Sequence, residues 1–164
     1  HGARGHQATP ADWETHLTTL FPETRLKHYL ELRCADSNHP TLALGFAALA
    51  EGLFYGGSGI LDELESWVGA WSYPERMRLH EDCARLGLDA RAPDGSSVAE
   101  LARRIVALAA RGLDQSAPED RPYLAPVEDL AQSGRSPAAR TLDRWRGEWN
   151  GSVAAMARSR TISC

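Results

Sequence analysis

Five side chains in one short stretch have the types and spacing to hold a phosphorylated ligand. Arg25, Lys27, Tyr29, Glu31 and Arg33 recur at every second position, with Leu26, His28, Leu30, Leu32 and Cys34 between them. On an extended chain successive side chains point to opposite faces, so the charged set shares one side and the more apolar set the other. Two guanidinium groups and an ammonium can bind triphosphate oxygens, and a carboxylate among them can offer a hard oxygen ligand to Mg²⁺. A half-buried antiparallel strand with a solvated face of mixed charge would show the same pattern. Spacing alone does not separate the two.

Other groupings are weaker. His80 and Cys83 stand three apart on an expected helix, but no second pair completes a tetrahedral metal site, and a surface His beside a buried Cys explains them. Gly56-Gly57-Ser58-Gly59 lacks the Lys-Ser/Thr ending of a phosphate loop and follows a helix, so it reads as a turn. Trp67 with Trp71, and Trp145 with Trp149, have the four-residue spacing of one helix face, which suits packing. Arg140, Arg144 and Arg146 are interleaved with Asp143 and Glu148, as on an ordinary solvated helix. No G-x-S-x-G elbow supports acyl transfer.

The element that must carry the charged face is a strand over residues 25–34, with Pro22 disfavouring a helix that runs in from upstream. Residues 1–10 lack periodicity, and structure is expected from about Asp12. After Asp36 the pattern is helical. Pro40 suits the first turn of a helix to about Tyr55, a second runs from about Ile60 to Ala70, and Ser72 with Pro74 opens a third ending near Gly87. Ser97 with Glu100 spells a capping box, and the helix it starts is expected to stop at Gly112. A shorter helix over about Pro122 to Ser133 ends at Gly134, and Ser136-Pro137 begins the last, toward Arg146. The segment from Gln115 to Arg121 and the tail after Arg158 are expected to be mobile. The fold class is therefore α+β and helix-dominated, one antiparallel-type strand followed by about six helices. The division is a linker or truncated loop over 1–11 and a domain over 12–164, with a helical lobe at 40–158.

The chain has 164 residues and a net charge of -4, so nucleic acid is not an expected partner. Its longest apolar-rich tract, Thr41 to Tyr55, is interrupted by Glu51 and falls short of the ~20 residues of a bilayer span, so no membrane is expected either. Residues 1–15 hold neither a secretory signal nor a basic transit segment. The cysteines Cys34, Cys83 and Cys164 form no CxxC, which suits free thiols in a reducing compartment, and the expected location is cytoplasmic. The first residue is His1 and the methionines, Met77 and Met156, lie well inside, so a processed chain or a C-terminal piece is expected.

Two blocks resemble the glutamate-cysteine ligase family of plant and proteobacterial type. One is Asp12-Trp13-Glu14-Thr15-His16-Leu17-Thr18-Thr19-Leu20-Phe21-Pro22-Glu23 running through Arg25 to Arg33 and Ala35-Asp36. The other is Tyr123-Leu124-Ala125-Pro126-Val127-Glu128, Ser133-Gly134-Arg135-Ser136-Pro137-Ala138 and Gly147-Glu148-Trp149 with Ser152-Val153. The resemblance implies the last third or so of a ligase with a glutamine-synthetase-like fold, whose sheet forms a bowl for ATP, Mg²⁺ and L-glutamate. It implies Glu31 as a metal ligand and Arg33 as a phosphate contact with a catalytic role; Arg25 and Lys27 share the charged face and are expected, on that ground, to extend the clamp. His16, Thr18 and Thr19 lie in the same motif. The implied reaction joins L-glutamate to L-cysteine through a γ-glutamyl phosphate, the first step of glutathione synthesis, in a site completed by the N-terminal part of the enzyme. The chain departs from the family at Cys34, where Gly is expected, and at Ser37-Asn38-His39-Pro40, in place of Gly-Gly-Pro-Trp. A related ligase of ergothioneine synthesis performs the same γ-glutamylcysteine reaction. From a different class, a non-catalytic helical interaction module would use the Trp pairs as its binding face.

Overall fold

A computed structural model describes residue 5 and residues 7–36 and 38–159. The chain divides into two units, His1–Asn38 and His39–Cys164.

The first unit opens with helix α1 (Pro10–Thr18). Thr9 caps it: its hydroxyl accepts from the Asp12 N–H at 3.2 Å, and the Asp12 carboxylate accepts from the Thr9 N–H at 2.8 Å. The expectation of structure from about Asp12 overlooked this T-x-x-D box. The expected single strand over 25–34 is corrected to a hairpin, β1 (Thr24–Leu26) and β2 (Leu30–Leu32). Its register pairs Thr24 with Leu32, Arg25 with Glu31 and Leu26 with Leu30. The chain reverses over Lys27, His28 and Tyr29, where the Lys27 N–H donates to the Tyr29 carbonyl at 2.9 Å. Residues directly opposite each other on antiparallel strands share a face, so odd-numbered residues on both arms stay together. Alternation thus survives a reversal that no Gly, Pro or Asn announces.

The second unit is helical: α2 (Pro40–Tyr55), α3 (Ser58–Val68), α4 (Tyr73–Leu86), α5 (Val98–Ser116), α6 (Ala125–Ser133), α7 (Pro137–Arg146) and α8 (Val153–Ser159). Among the described residues seven helices follow the hairpin where about six were expected, α8 being the one the punctuation did not announce. His39 caps α2, its Nδ1 accepting from the Thr41 N–H at 3.4 Å, and Pro40 takes the first turn. Gly134 ends α6 at φ 62°, the left-handed conformation that glycine adopts without a Cβ penalty.

The core lies between α2, α5, α6 and the 3₁₀ turn Arg121–Leu124, with Leu108, Leu113 and Leu124 fully buried. Helix α5 does not stop at Gly112. A Cβ built on Gly112 would fall inside the radius of the Gly52 carbonyl oxygen, and one on Gly52 inside that of the Ala109 carbonyl. Both glycines therefore mark a close crossing of α2 and α5, and neither is a helix end. The segment expected to be mobile, 115–121, is instead tied down: Ala117 is buried, its N–H donates to the Leu113 carbonyl at 2.8 Å, and its own carbonyl accepts from Asp120.

The Ser97–Glu100 box stands as read, with the Ser97 hydroxyl accepting from the Glu100 N–H at 3.1 Å and the Glu100 carboxylate accepting from the Ser97 N–H at 2.7 Å. Ser97→Ala is expected to destabilise the fold by about 1 kcal/mol, read as a lower midpoint with unchanged slope in urea. The Trp pairs do not share helix faces, because α3 ends at Val68 and α7 at Arg146. Trp67 lies under the Arg104 guanidinium at 4.2 Å, and the buried Trp149 under Arg144 at 4.4 Å.

Candidate functional site

The hairpin brings three of the five charged-face residues into one cluster. The Arg25 Nε donates to Glu31 Oε2 at 2.8 Å, and its Nη1 reaches the Thr18 carbonyl at 3.4 Å. From the residue just past the end of β2, the Arg33 Nη1 donates to Glu31 Oε1 at 3.4 Å. The acid and the last guanidinium of the motif thus point the same way. Lys27 and Tyr29 stand in the turn, and Lys27 adds its positive charge to the field at Glu31.

The Arg25 hydrogen bond is the largest influence on Glu31 and holds its carboxyl below the ordinary carboxylate range, against the opposing effect of desolvation. Arg25 is the less accessible cation, its side chain 16% exposed against 27% for Arg33. Arg25 is spent on the carboxylate and on the end of α1, so its place is to position Glu31. Arg33 makes one long contact to Glu31 and sits 4.9 Å over the Phe21 ring, which supports the guanidinium plane and leaves donors for a ligand.

Glu31 also bears on a divalent cation. Its Oε2 is engaged by Arg25, whereas Oε1 has only the 3.4 Å approach of Arg33. Among the described residues no group of three or more His, Cys, Asp or Glu side chains could hold a metal ion. Glu31 therefore fits as one hard oxygen of a shared site, and the hairpin does not make a complete one. The His80–Cys83 pair gains nothing here, because burial and the neighbouring Asp82 push the Cys83 thiol up, away from the thiolate a metal needs.

Sequence reasoning missed two features beside the cluster. The Phe21 ring under Arg33 carries no spacing signal, since the two residues meet only through the fold. An open hollow of about 310 Å³ has Leu17, Leu20, Pro22 and Leu26 in its wall together with Arg25 and Lys27. Of the three further motif residues, Thr18 lines that hollow, Thr19 donates its hydroxyl to the His16 carbonyl at 2.7 Å, and His16 packs on Trp13.

Comparison with known proteins places these residues in a family. The family model described as glutamate-cysteine ligase family 2 (GCS2) matches residues 2–159. The chloroplastic glutamate-cysteine ligase of Solanum lycopersicum is 34% identical over 149 residues, covering 91% of this chain and 28% of its own length. Glutamate-cysteine ligase A, chloroplastic, of Oryza sativa subsp. indica is 35% identical over 151 residues, 92% of this chain and 30% of that one. The chloroplastic enzyme of Arabidopsis thaliana is 34% identical over 142 residues, 87% and 27% of the two chains. The chain thus spans less than a third of the length of these curated relatives. Their names overturn the expectation of a cytoplasmic protein, since all three are chloroplastic. Cysteine usage separates oxidising from reducing compartments and does not distinguish one reducing compartment from another.

Proposed function

The chain belongs to glutamate-cysteine ligase family 2, and from that premise we propose that it forms the C-terminal part of an ATP-dependent ligase joining L-glutamate to L-cysteine. The observation that carries the reading is the hairpin, where Glu31 and Arg33 share one face within 3.4 Å. In this reading the hairpin belongs to a glutamine-synthetase-like sheet whose other strands lie in the N-terminal part of the enzyme. The residues described here then supply one carboxylate and one guanidinium to a site that the rest of the polypeptide completes.

The chemistry divides between two steps. The γ-carboxylate of glutamate attacks the terminal phosphorus of ATP, and the bond to the ADP oxygen breaks. The cysteine amine then attacks the acyl carbon, phosphate leaves, and the amine proton is lost. Phosphoryl transfer depends chiefly on positioning and on neutralising spread-out negative charge. Arg33 meets that need with donors in a fixed fork, and Arg25 holds Glu31 in place so that Oε1 faces the ligand. Bound Mg²⁺ would neutralise phosphate charge, with Glu31 as one of its ligands.

Arg33→Lys tests the clamp. In a polypeptide of the relatives' full length, KM for ATP is expected to rise about tenfold, the loss of one charge-assisted hydrogen bond, because an ammonium cannot reproduce the fork. Initial-rate measurements across ATP concentrations read the effect, and unchanged ATP dependence would remove Arg33 from the site.

A further inference from the structure

The second unit contains a helix with too much apolar surface for the company it keeps. Helix α2 has a single charged side chain, Glu51, in its 16 residues. One side of it, with Gly45, Ala48, Gly52 and Leu53, is buried in the core. The opposite side repeats at helical spacing through Ala43, Leu44, Ala47, Phe54 and Tyr55, all exposed, with Leu44 at 53% and Tyr55 at 77%. A helix at a protein surface ordinarily shows water a polar stripe, and one apolar all round is covered on all sides. Glu51, the one carboxyl on this stripe, is pushed up by burial and by the adjacent Asp120 and Glu119, which makes it easier to leave uncharged under a covering surface.

We infer that the outer stripe of α2, Ala43–Leu44–Ala47–Phe54–Tyr55, is an internal seam that docks the N-terminal part of the ligase polypeptide. The inference deepens the proposed function by giving that missing part a second place to attach, remote in sequence from the hairpin. The curated relatives argue for this occupant. Well over half of their length lies outside the region matched here, so a large covering mass belongs to the same polypeptide. A membrane is the poorer occupant, because α2 carries no Lys or Arg to meet lipid headgroups. Scattered apolar side chains are normal on a surface, but an apolar stripe along one helix face, broken by the single carboxyl of Glu51, marks an interface.

The test is a thiol footprint on a small, conservative change. Ala47→Cys is introduced into a polypeptide of the relatives' full length and labelled with a maleimide in lipid-free buffer. The extent at residue 47 is read by peptide mass spectrometry, apart from Cys34, Cys83 and Cys164. Labelling at least a hundredfold slower than in the urea-unfolded chain is expected, and it should persist on dilution to a monomer. A rate within threefold of the unfolded chain would show the stripe open to water and overturn the inference. Protection lost on dilution would assign the stripe to a second copy and overturn it equally. Ala43→Cys, one turn earlier, serves should the first variant misfold, and it is expected to behave the same way. The footprint in a Glu31→Gln background is expected to be unchanged, so failure of the metal-ligand role and failure of the seam are read separately.

Discussion

In a polypeptide of the relatives' full length, Glu31→Gln is expected to lower Mg-ATP-dependent ligation of glutamate and cysteine by roughly 10²–10³-fold, the scale at which removal of one preorganised electrostatic partner is felt. The substitution keeps the shape of the side chain and an oxygen that can accept from Arg25, so the hairpin register should persist. What disappears is a full negative charge, and with it the anionic oxygen ligand and the neutralisation of two guanidiniums. Initial rates across a magnesium titration, with a thermal melt to confirm folding, make the check. Full turnover with an unaltered magnesium requirement would end the metal assignment. Should the glutamine variant melt early, Glu31→Asp keeps the charge on a shorter arm, and is expected to retain folding while losing much of the rate. The sign of the pH response is also defined. Because Arg25 lowers the folded-state pKa of Glu31, the hairpin's ion pair is present above the ordinary carboxylate range and is lost as pH falls through the lowered value. Acid weakens it, and alkali below the arginine range does not.

Gly112→Ala is expected to destabilise the helical unit by about 2 kcal/mol or more, although alanine is the better helix former. Propensity alone would favour the alanine by about 1 kcal/mol. The crossing decides otherwise: the new methyl group would occupy the space of the Gly52 carbonyl, which is backbone and cannot swing aside. The two helices must separate, and overpacking of this kind costs about 1–3 kcal/mol, occasionally more. Urea unfolding of wild type and variant gives the number. A stabilised Gly112→Ala protein would mean that α2 and α5 do not meet there. Leu113→Ala, next to it and fully buried, serves as the cavity reference at about 2–5 kcal/mol.

Local signals in the sequence were sufficient wherever the physics is local. Pro40, Ser72 with Pro74, Ser97 with Glu100, Gly134 and Ser136-Pro137 each act within one helical turn, and helices begin or end where those residues place them. Alternation through residues 25–33 put Glu31 and Arg33 on one side because neighbouring positions on a strand obey parity, whatever the chain does later. The hairpin itself was illegible. Its turn, Lys27-His28-Tyr29, carries none of the residues that announce a reversal, and the alternating pattern is identical for one long strand and for two short ones. Only pairing across the turn set Arg25 opposite Glu31 and so made Arg25 a positioning residue.

Gly112 is the converse case, since a glycine near an expected helix end reads as a stop until the partner helix is known. Its meaning depends on Gly52, sixty residues away along the chain, and no window on the sequence contains both. The same limit hid the Phe21 ring beneath Arg33 and the exposed side of α2. The residue types, their periodicity and their caps were thus written in the chain, because they follow from backbone geometry over a few residues. Which cation orients the acid, which glycine admits a neighbouring helix and which apolar stripe lacks a cover were decided by tertiary structure, because each depends on atoms brought close only when distant segments meet.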